Sequence, residues 1–159
     1  MKREEEVLVL LEKLGLTLGS VESITGGEFA STICSIPGAS KVFKGGLVTY
    51  SIESKCSLLG IDESVIKKYG VVSRETALLM AREGKRVLGA DVVVSCTGNA
   101  GPSAQEGDAK VGDIWVGIAY GDNVWTIPAK FNLGRNEMRK AVVTTMLKFI
   151  ESLFPAEKN

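Results

Sequence analysis

The sequence of 159 residues contains no histidine. This absence excludes a Ser-His-Asp triad, a Cys-His pair and any metal site built on imidazole. Acid–base catalysis in this chain must therefore use the side chains of lysine, aspartate, glutamate, tyrosine or cysteine.

The chain also lacks an excess of charge, with 19 basic and 19 acidic residues. We therefore expect neither a nucleic-acid partner nor a membrane-surface partner. No apolar run approaches the roughly 20 residues that span a bilayer. The N-terminal residues M-K-R-E-E-E lack the apolar core of a signal peptide, which favours a cytoplasmic protein.

Cysteine is scarce. Cys34, Cys56 and Cys96 form no C-x-x-C pair, and one thiol is left over in any disulfide scheme. All three lie among apolar residues, which predicts buried free thiols.

Hydrophobic periodicity predicts helices alternating with strands in a single domain, residues 1–159. The predicted helices cover residues 4–14, 25–36, 51–59, 62–69, 73–88 and 136–154. The predicted strands cover residues 16–22, 42–50, 90–96, 113–120 and 124–131. The last two strands alternate in polarity and are joined by G-D-N, which indicates a β-hairpin. This order predicts an α/β sandwich with a mixed sheet.

Three glycine-bearing junctions follow predicted strands, where α/β sheets bind their ligands. The junctions are S-I-T-G-G at residues 23–27, Tyr50-Ser51 with Gly45-Gly46 upstream, and T-G-N-A-G-P at residues 97–102. The Gly45-Gly46 pair also indicates a bulge or a close backbone approach within its strand.

The first junction has two interpretations. Thr25 and Glu28 match a capping box at the start of a helix. Gly26 and Gly27 each lower helix propensity by about 1 kcal/mol relative to alanine, a cost that a cap does not require. Exposed N–H groups at a glycine-lined helix start would suit a phosphate or an oxyanion. A plain turn and a binding site both remain open.

Ser23 is a candidate nucleophile, and without histidine its base would be a lysine held neutral by desolvation or nearby positive charge. Lys55 is the candidate, in the first turn of a helix beginning near Ser51, and Tyr50 is placed to relay a proton or orient it. The alternative for Lys55 is a solvated surface lysine. Arg135 and Arg139 share a helix face, where they would either meet an anion or remain solvated.

The run E-S-I-T-G-G at residues 22–27 closely resembles a signature of the CinA C-terminal domain family. Further matching runs lie at residues 36–51, at Lys55 with Leu59-Gly60, and at residues 69–77, 80–81, 97–102 and 111–112. Glu28 and Asn99 depart from the family's usual residues. The chain resembles the stand-alone form of the family.

The resemblance implies a three-layer α/β/α sandwich around a mixed, mostly parallel sheet with one late β-hairpin. It also implies a nicotinamide-nucleotide amidase, which converts nicotinamide mononucleotide to nicotinate mononucleotide and ammonia in pyridine-nucleotide recycling. Ser23 would be the nucleophile, Lys55 the base and Tyr50 an assisting residue, with no metal or organic cofactor. The expected substrate contacts are Thr25, Gly26, Gly27, Gly45, Gly46, Thr97, Gly98, Gly101 and Arg135.

Two alternatives belong to other classes. One is a nucleotide-binding module that has lost turnover, and the other is a regulatory protein linked to competence or DNA damage. We also expect a homo-oligomer, because apolar helices and a late hairpin offer surfaces for self-association.

Overall fold

The fold is described from a computed structural model that covers residues 1–103 and 109–155. The elements, in chain order, are α1 (Arg3–Leu14), β1 (Leu18–Glu22), α2 (Glu28–Cys34), β2 (Phe43–Val48), α3 (Ile52–Leu59), α4 (Glu63–Tyr69), α5 (Arg74–Leu88), β3 (Val92–Gly98), β4 (Asp113–Tyr120), β5 (Asn123–Lys130) and α6 (Arg135–Leu153), with a 3-10 turn at Ala39–Lys41. Each predicted helix and strand is present. The largest difference is at α2, which begins three residues later than expected.

The five strands form one sheet in the order β2-β1-β3-β4-β5. β1 is parallel to β2 and to β3, whereas β4 is antiparallel to both β3 and β5. Four strands therefore share one direction, and β4 with β5 forms the predicted late hairpin. The mixed, mostly parallel sheet is confirmed.

Helices cover both faces of the sheet. Side chains of α1, α2 and α6 pack on one face, against alternate residues such as Leu18, Val92 and Val94. Side chains of α3, α4 and α5 pack on the other face, where Val21 and Val93 point. Because β3 is covered on both sides, its first six residues are all buried, which explains its continuous apolar run. The three-layer arrangement is confirmed.

The glycine pair of β2 marks a bulge, as predicted. The pairing with β1 passes from Phe43 to Gly45, so that Lys44 is the extra residue. A Cβ on Gly46 would lie 2.5 Å from the Oγ of Ser20 in the neighbouring strand. Glycine at position 46 therefore allows the two strands to approach.

The predicted capping box at the start of α2 is wrong. Gly26 and Gly27 have φ of 59° and 103°, so the chain is still turning where the predicted helix would begin. The Oγ1 of Thr25 donates to the Glu22 carboxylate at 2.6 Å. Glu22 also accepts the amide of Phe29 at 2.8 Å, and so caps α2 from the preceding strand.

The cysteines are free, but only Cys96 is fully buried. Cys56 is partly buried, and Cys34 is exposed, which corrects the expectation for that residue. Cys34 is the last residue of α2, whose buried side chains are Phe29 and Ile33. Its apolar neighbours in sequence therefore face the core while its own side chain faces solvent.

Packing of α5 on the sheet depends on a glycine. A Cβ on Gly84 would overlap a methyl group of Val21 and lie 3.1 Å from a methyl group of Val93. We expect Gly84→Ala to lower the free energy of unfolding by about 1–3 kcal/mol, because overpacking outweighs the gain of about 1 kcal/mol in helix propensity. Urea unfolding measures the change. Val87→Ala, on an exposed position of α5, is the control, and an equally stable Gly84→Ala protein would contradict this packing.

Candidate active site

The candidate site lies at the carboxyl ends of the parallel strands. Ser23 follows β1 directly, and its amide donates to the carbonyl of Cys96 in β3 at 3.2 Å. The amide of Thr49, just after β2, donates to the carbonyl of Glu22 at 2.8 Å. These two hydrogen bonds continue the sheet beyond the ends of the strands. They hold Ser23 between the end of β3 and the residue that follows β2.

Lys55 reaches Ser23 from α3. Ser51 caps this helix through reciprocal hydrogen bonds with Ser54, as its place in the sequence predicts. The Lys55 side chain is 0% exposed, and its Nζ donates to the Ser23 Oγ at 3.0 Å and to the Thr49 carbonyl oxygen. The structure therefore brings the predicted nucleophile and base into direct contact, and the alternative of a solvated lysine is wrong.

Burial changes the acid–base behaviour of Lys55. Loss of solvation lowers its pKa from 10.5 to about 8, against smaller opposing effects of Cys96 and Cys56. Of the two causes expected from the sequence, desolvation and nearby positive charge, desolvation is the main one. A substantial fraction of Lys55 is therefore the neutral amine near pH 8, and only that form accepts a proton.

The turn between Ser23 and α2 presents backbone N–H groups. Its internal bond runs from the Gly26 amide to the Ser23 carbonyl at 3.1 Å. Within residues 1–103 and 109–155, the amides of Ile24 and Gly27 have no protein acceptor. The turn next to Ser23 therefore contains two backbone donors that no described protein group uses.

Cys96 lies beneath this turn. Its sulfur is 3.2 Å from the Thr25 Oγ1, and burial raises the pKa of its thiol to about 11. The thiol therefore stays protonated at neutral pH and does not compete with Ser23 as a nucleophile.

Tyr50 lies at the edge of the site and is 59% exposed. Its hydroxyl accepts a hydrogen bond from Nη2 of Arg135 at 2.9 Å, and Nη1 of the same guanidinium donates to the Gly101 carbonyl at 2.8 Å. Tyr50 thus contacts Arg135, whereas the partners of Lys55 are Ser23 and Thr49. Arg135 links the segments that follow β2 and β3.

Four other expected substrate contacts have a different place in the structure. Thr97 and Gly98 have roles in packing and hydrogen bonding, and Gly45 and Gly46 lie away from Ser23. Thr97 is buried, and its hydroxyl donates to the Val71 carbonyl at 2.9 Å. A Cβ on Gly98 would overlap Ile114, so packing accounts for this glycine. Gly45 and Gly46 lie within β2, with Gly46 opposite Ser20, about 10 Å along the strand from Ser23. The structure does not bring these two glycines to Ser23.

Two further groups contribute to the site and were not among the predicted residues. The Thr49 carbonyl holds Lys55, and a backbone acceptor leaves no signal in a sequence. Glu22 is 1% exposed and is satisfied by Thr25 and two amides of α2. A buried carboxylate must be hydrogen-bonded, so a glutamate at the end of an apolar strand indicates that hydrogen-bond donors lie close to it.

Residues 1–103 and 109–155 contain no group of three or more cysteine and acidic side chains that could hold a metal ion. They also contain no helix with the length and hydropathy of a membrane span.

The protein is therefore a mixed α/β sandwich that carries a buried Ser-Lys pair at the carboxyl edge of its sheet. The model of the CinA C-terminal domain matches residues 1–154. The chain belongs to that family.

Individual relatives agree with this assignment. A CinA-like protein of Petrotoga mobilis is 44% identical over 131 residues, which are 82% of this chain and 32% of that protein. The chain spans about a third of the length of the curated relatives it matches. Solved structures of similar length include the competence/damage inducible protein CihA of Agrobacterium tumefaciens, with a TM-score of 0.90, 32% identity, and coverage of 95% of this chain and 93% of that one. The competence damage-inducible protein A of Klebsiella pneumoniae has a TM-score of 0.91 at 25% identity, with coverage of 95% and 94%.

The lowered pKa of Lys55 predicts a pH-dependent stability. Between about pH 8 and 10.5 the unfolded chain binds more protons at this lysine than the folded chain does, so folding becomes more favourable as pH rises. Relative to Lys55→Met, the wild type should gain up to about 3 kcal/mol over this range and change little between pH 6 and 7. Urea unfolding of both proteins measures the difference. A difference that does not vary with pH would mean that the lysine has an ordinary pKa.

Proposed function

We propose that this chain is an amidohydrolase that converts nicotinamide mononucleotide to nicotinate mononucleotide and ammonia. The observation that carries the proposal is the contact of 3.0 Å between the Lys55 Nζ and the Ser23 Oγ, both buried. The choice of substrate rests on the family resemblance. The choice of Ser23 as nucleophile and Lys55 as base rests on their contact. The proposal includes a role in pyridine-nucleotide recycling in the cytoplasm.

Acylation begins with proton transfer. Neutral Lys55 takes the proton of the Ser23 hydroxyl, and the serine oxygen attacks the carbon of the carboxamide. The carbonyl oxygen becomes an oxyanion, and the amides of Ile24 and Gly27, which donate to no acceptor among the described residues, would bind it. One such donor commonly contributes about 3 kcal/mol to transition-state stabilisation.

Release of ammonia returns the proton. The Lys55 ammonium donates to the carboxamide nitrogen, the C–N bond breaks, and the acyl group remains on Ser23. A water molecule then attacks the ester, Lys55 takes the proton of that water, and the Ser23 oxygen leaves with a proton from Lys55. The net reaction consumes one water and forms one carboxylic acid and one ammonia.

Arg135 is the residue we propose for the phosphate of the substrate. Its two described partners, the Tyr50 hydroxyl and the Gly101 carbonyl, are neutral, so its positive charge is not offset by them. Its guanidinium geometry suits a phosphate. Tyr50, held by Arg135, would then border the bound nucleotide.

The proposed pair predicts a selective loss of activity. Ser23→Ala should lower kcat for nicotinamide mononucleotide at least about a thousandfold, and Lys55→Ala at least about a hundredfold, because each removes a reacting group. Ammonia release, with chromatography of nicotinate mononucleotide, provides the measurement. Ser57→Ala and Lys41→Ala, both exposed, are the matched controls. Full activity in Lys55→Ala would eliminate the proposed base.

The pH dependence of the rate provides an independent test. The base form of Lys55 increases as pH approaches its pKa of about 8, so kcat/KM should rise nearly tenfold per pH unit below that value and level off above it. Initial rates between pH 6 and 9.5 at constant ionic strength measure the profile. A rate that is constant from pH 6 to 8 would exclude a lysine with this pKa as the base.

The names of the relatives favour a second candidate, a regulatory role linked to competence or DNA damage. A related possibility is a domain that binds the nucleotide without turnover. Thermal stabilisation by nicotinamide mononucleotide without ammonia release would support binding alone. A partner captured equally well by wild type and Ser23→Ala would support the regulatory role.

A further inference from the structure

The turn that carries Ser23 is held from α6 as well as from β1. Nη2 of Arg139 donates to the Thr25 carbonyl at 2.8 Å, and the Arg139 side chain is only 32% exposed. The same nitrogen lies 3.6 Å from the position of a Cβ on Gly26. A side chain far away in sequence therefore contacts the backbone two residues after the nucleophile.

This contact acts where the turn is least restrained by its own sequence. Gly26 and Gly27 have positive φ, and without a Cβ their backbone conformation is restricted less by sterics than that of other residues. Glu22 holds one side of the turn through the Thr25 hydroxyl. On the other side the Thr25 carbonyl accepts the Glu28 amide at 3.1 Å and Nη2 of Arg139 at 2.8 Å, and these two bonds together fix the orientation of the Thr25–Gly26 peptide.

The surroundings of the two arginines of α6 differ. The Glu28 carboxylate lies 3.8 Å from Nε of Arg139 and partly offsets its charge. Arg135 contacts only neutral oxygens among its described partners. Arg139 is thus bound to the turn and has a carboxylate nearby. The positive charge of Arg135 is not offset by its described partners, so that Arg135 is the better of the two for binding an anion.

We propose that Arg139 is a positioning residue, which holds the Thr25 peptide so that Ser23 and the neighbouring amides keep their reactive geometry. The proposal rests on the proposed amidase function. A displacement of about 1 Å at such a turn can lower a rate by about a hundredfold. The effect of losing Arg139 should therefore appear in kcat.

Kinetics separate positioning from anion binding. Arg139→Met should lower kcat for nicotinamide mononucleotide about 10- to 100-fold with KM changed less than about threefold, and should lower kcat for the unphosphorylated nucleoside equally. Arg139→Lys, which keeps one donor, should recover part of the loss. An increase in KM confined to the phosphorylated substrate, with kcat unchanged, would overturn the proposal and make Arg139 a phosphate ligand. Lys140→Met removes an exposed charge from the same helix and is the control.

A second readout does not depend on the amide substrate. The rate at which a fluorophosphonate labels Ser23 reports the nucleophile directly, and Arg139→Met should slow it at least about tenfold at unchanged thermal stability. If wild type is labelled but hydrolyses neither amide, the proposed function fails while the labelling rate still tests Arg139. Wild-type labelling rates in Arg139→Met would overturn the positioning role. If Arg139→Met does not fold, the same two measurements are made on Arg139→Gln, and wild-type labelling and kcat in that variant would overturn the positioning role.

Discussion

The site depends on one interaction, the burial of Lys55 against neutral oxygens. A lysine with no exposed surface loses most of its hydration, and this loss lowers its pKa. Its two described partners are a hydroxyl and a carbonyl, and no described salt bridge includes it. A carboxylate partner would stabilise the ammonium and raise the pKa again. The chain satisfies the buried amine with hydrogen bonds and leaves it able to accept a proton.

The sheet makes this arrangement possible. Because β1 and β2 are parallel neighbours, Ser23 and Thr49 emerge side by side at their carboxyl ends. The Ser51 cap then starts α3 only two residues after Thr49, and Lys55 in its first turn points back to the strands it has just left. The contact joins residues 32 positions apart, yet it requires only one strand pair, one cap and one helical turn.

The sequence predicted the elements more completely than it predicted the site. Periodicity and caps are local, so they located the helices and strands, and the bulge of β2 followed from Gly45-Gly46. The family motifs identified Ser23 and Lys55, which the structure places in contact. Long-range contacts were not predictable in the same way. The partner of Tyr50 is Arg135, 85 residues away, and the cap of α2 is a glutamate from the preceding strand.

Glu22, the last residue of β1, and Ser23, which follows it, have opposite chemistry although they are adjacent. Successive side chains of a strand point to opposite faces, so the Glu22 carboxylate meets the amides of α2 while Ser23 meets Lys55 of α3. The sheet thereby separates a buried carboxylate from a buried amine that would otherwise pair with it. A register change of one residue would exchange the two faces and remove both environments. The strand that leads into the nucleophile thus also keeps the acidic group away from its base.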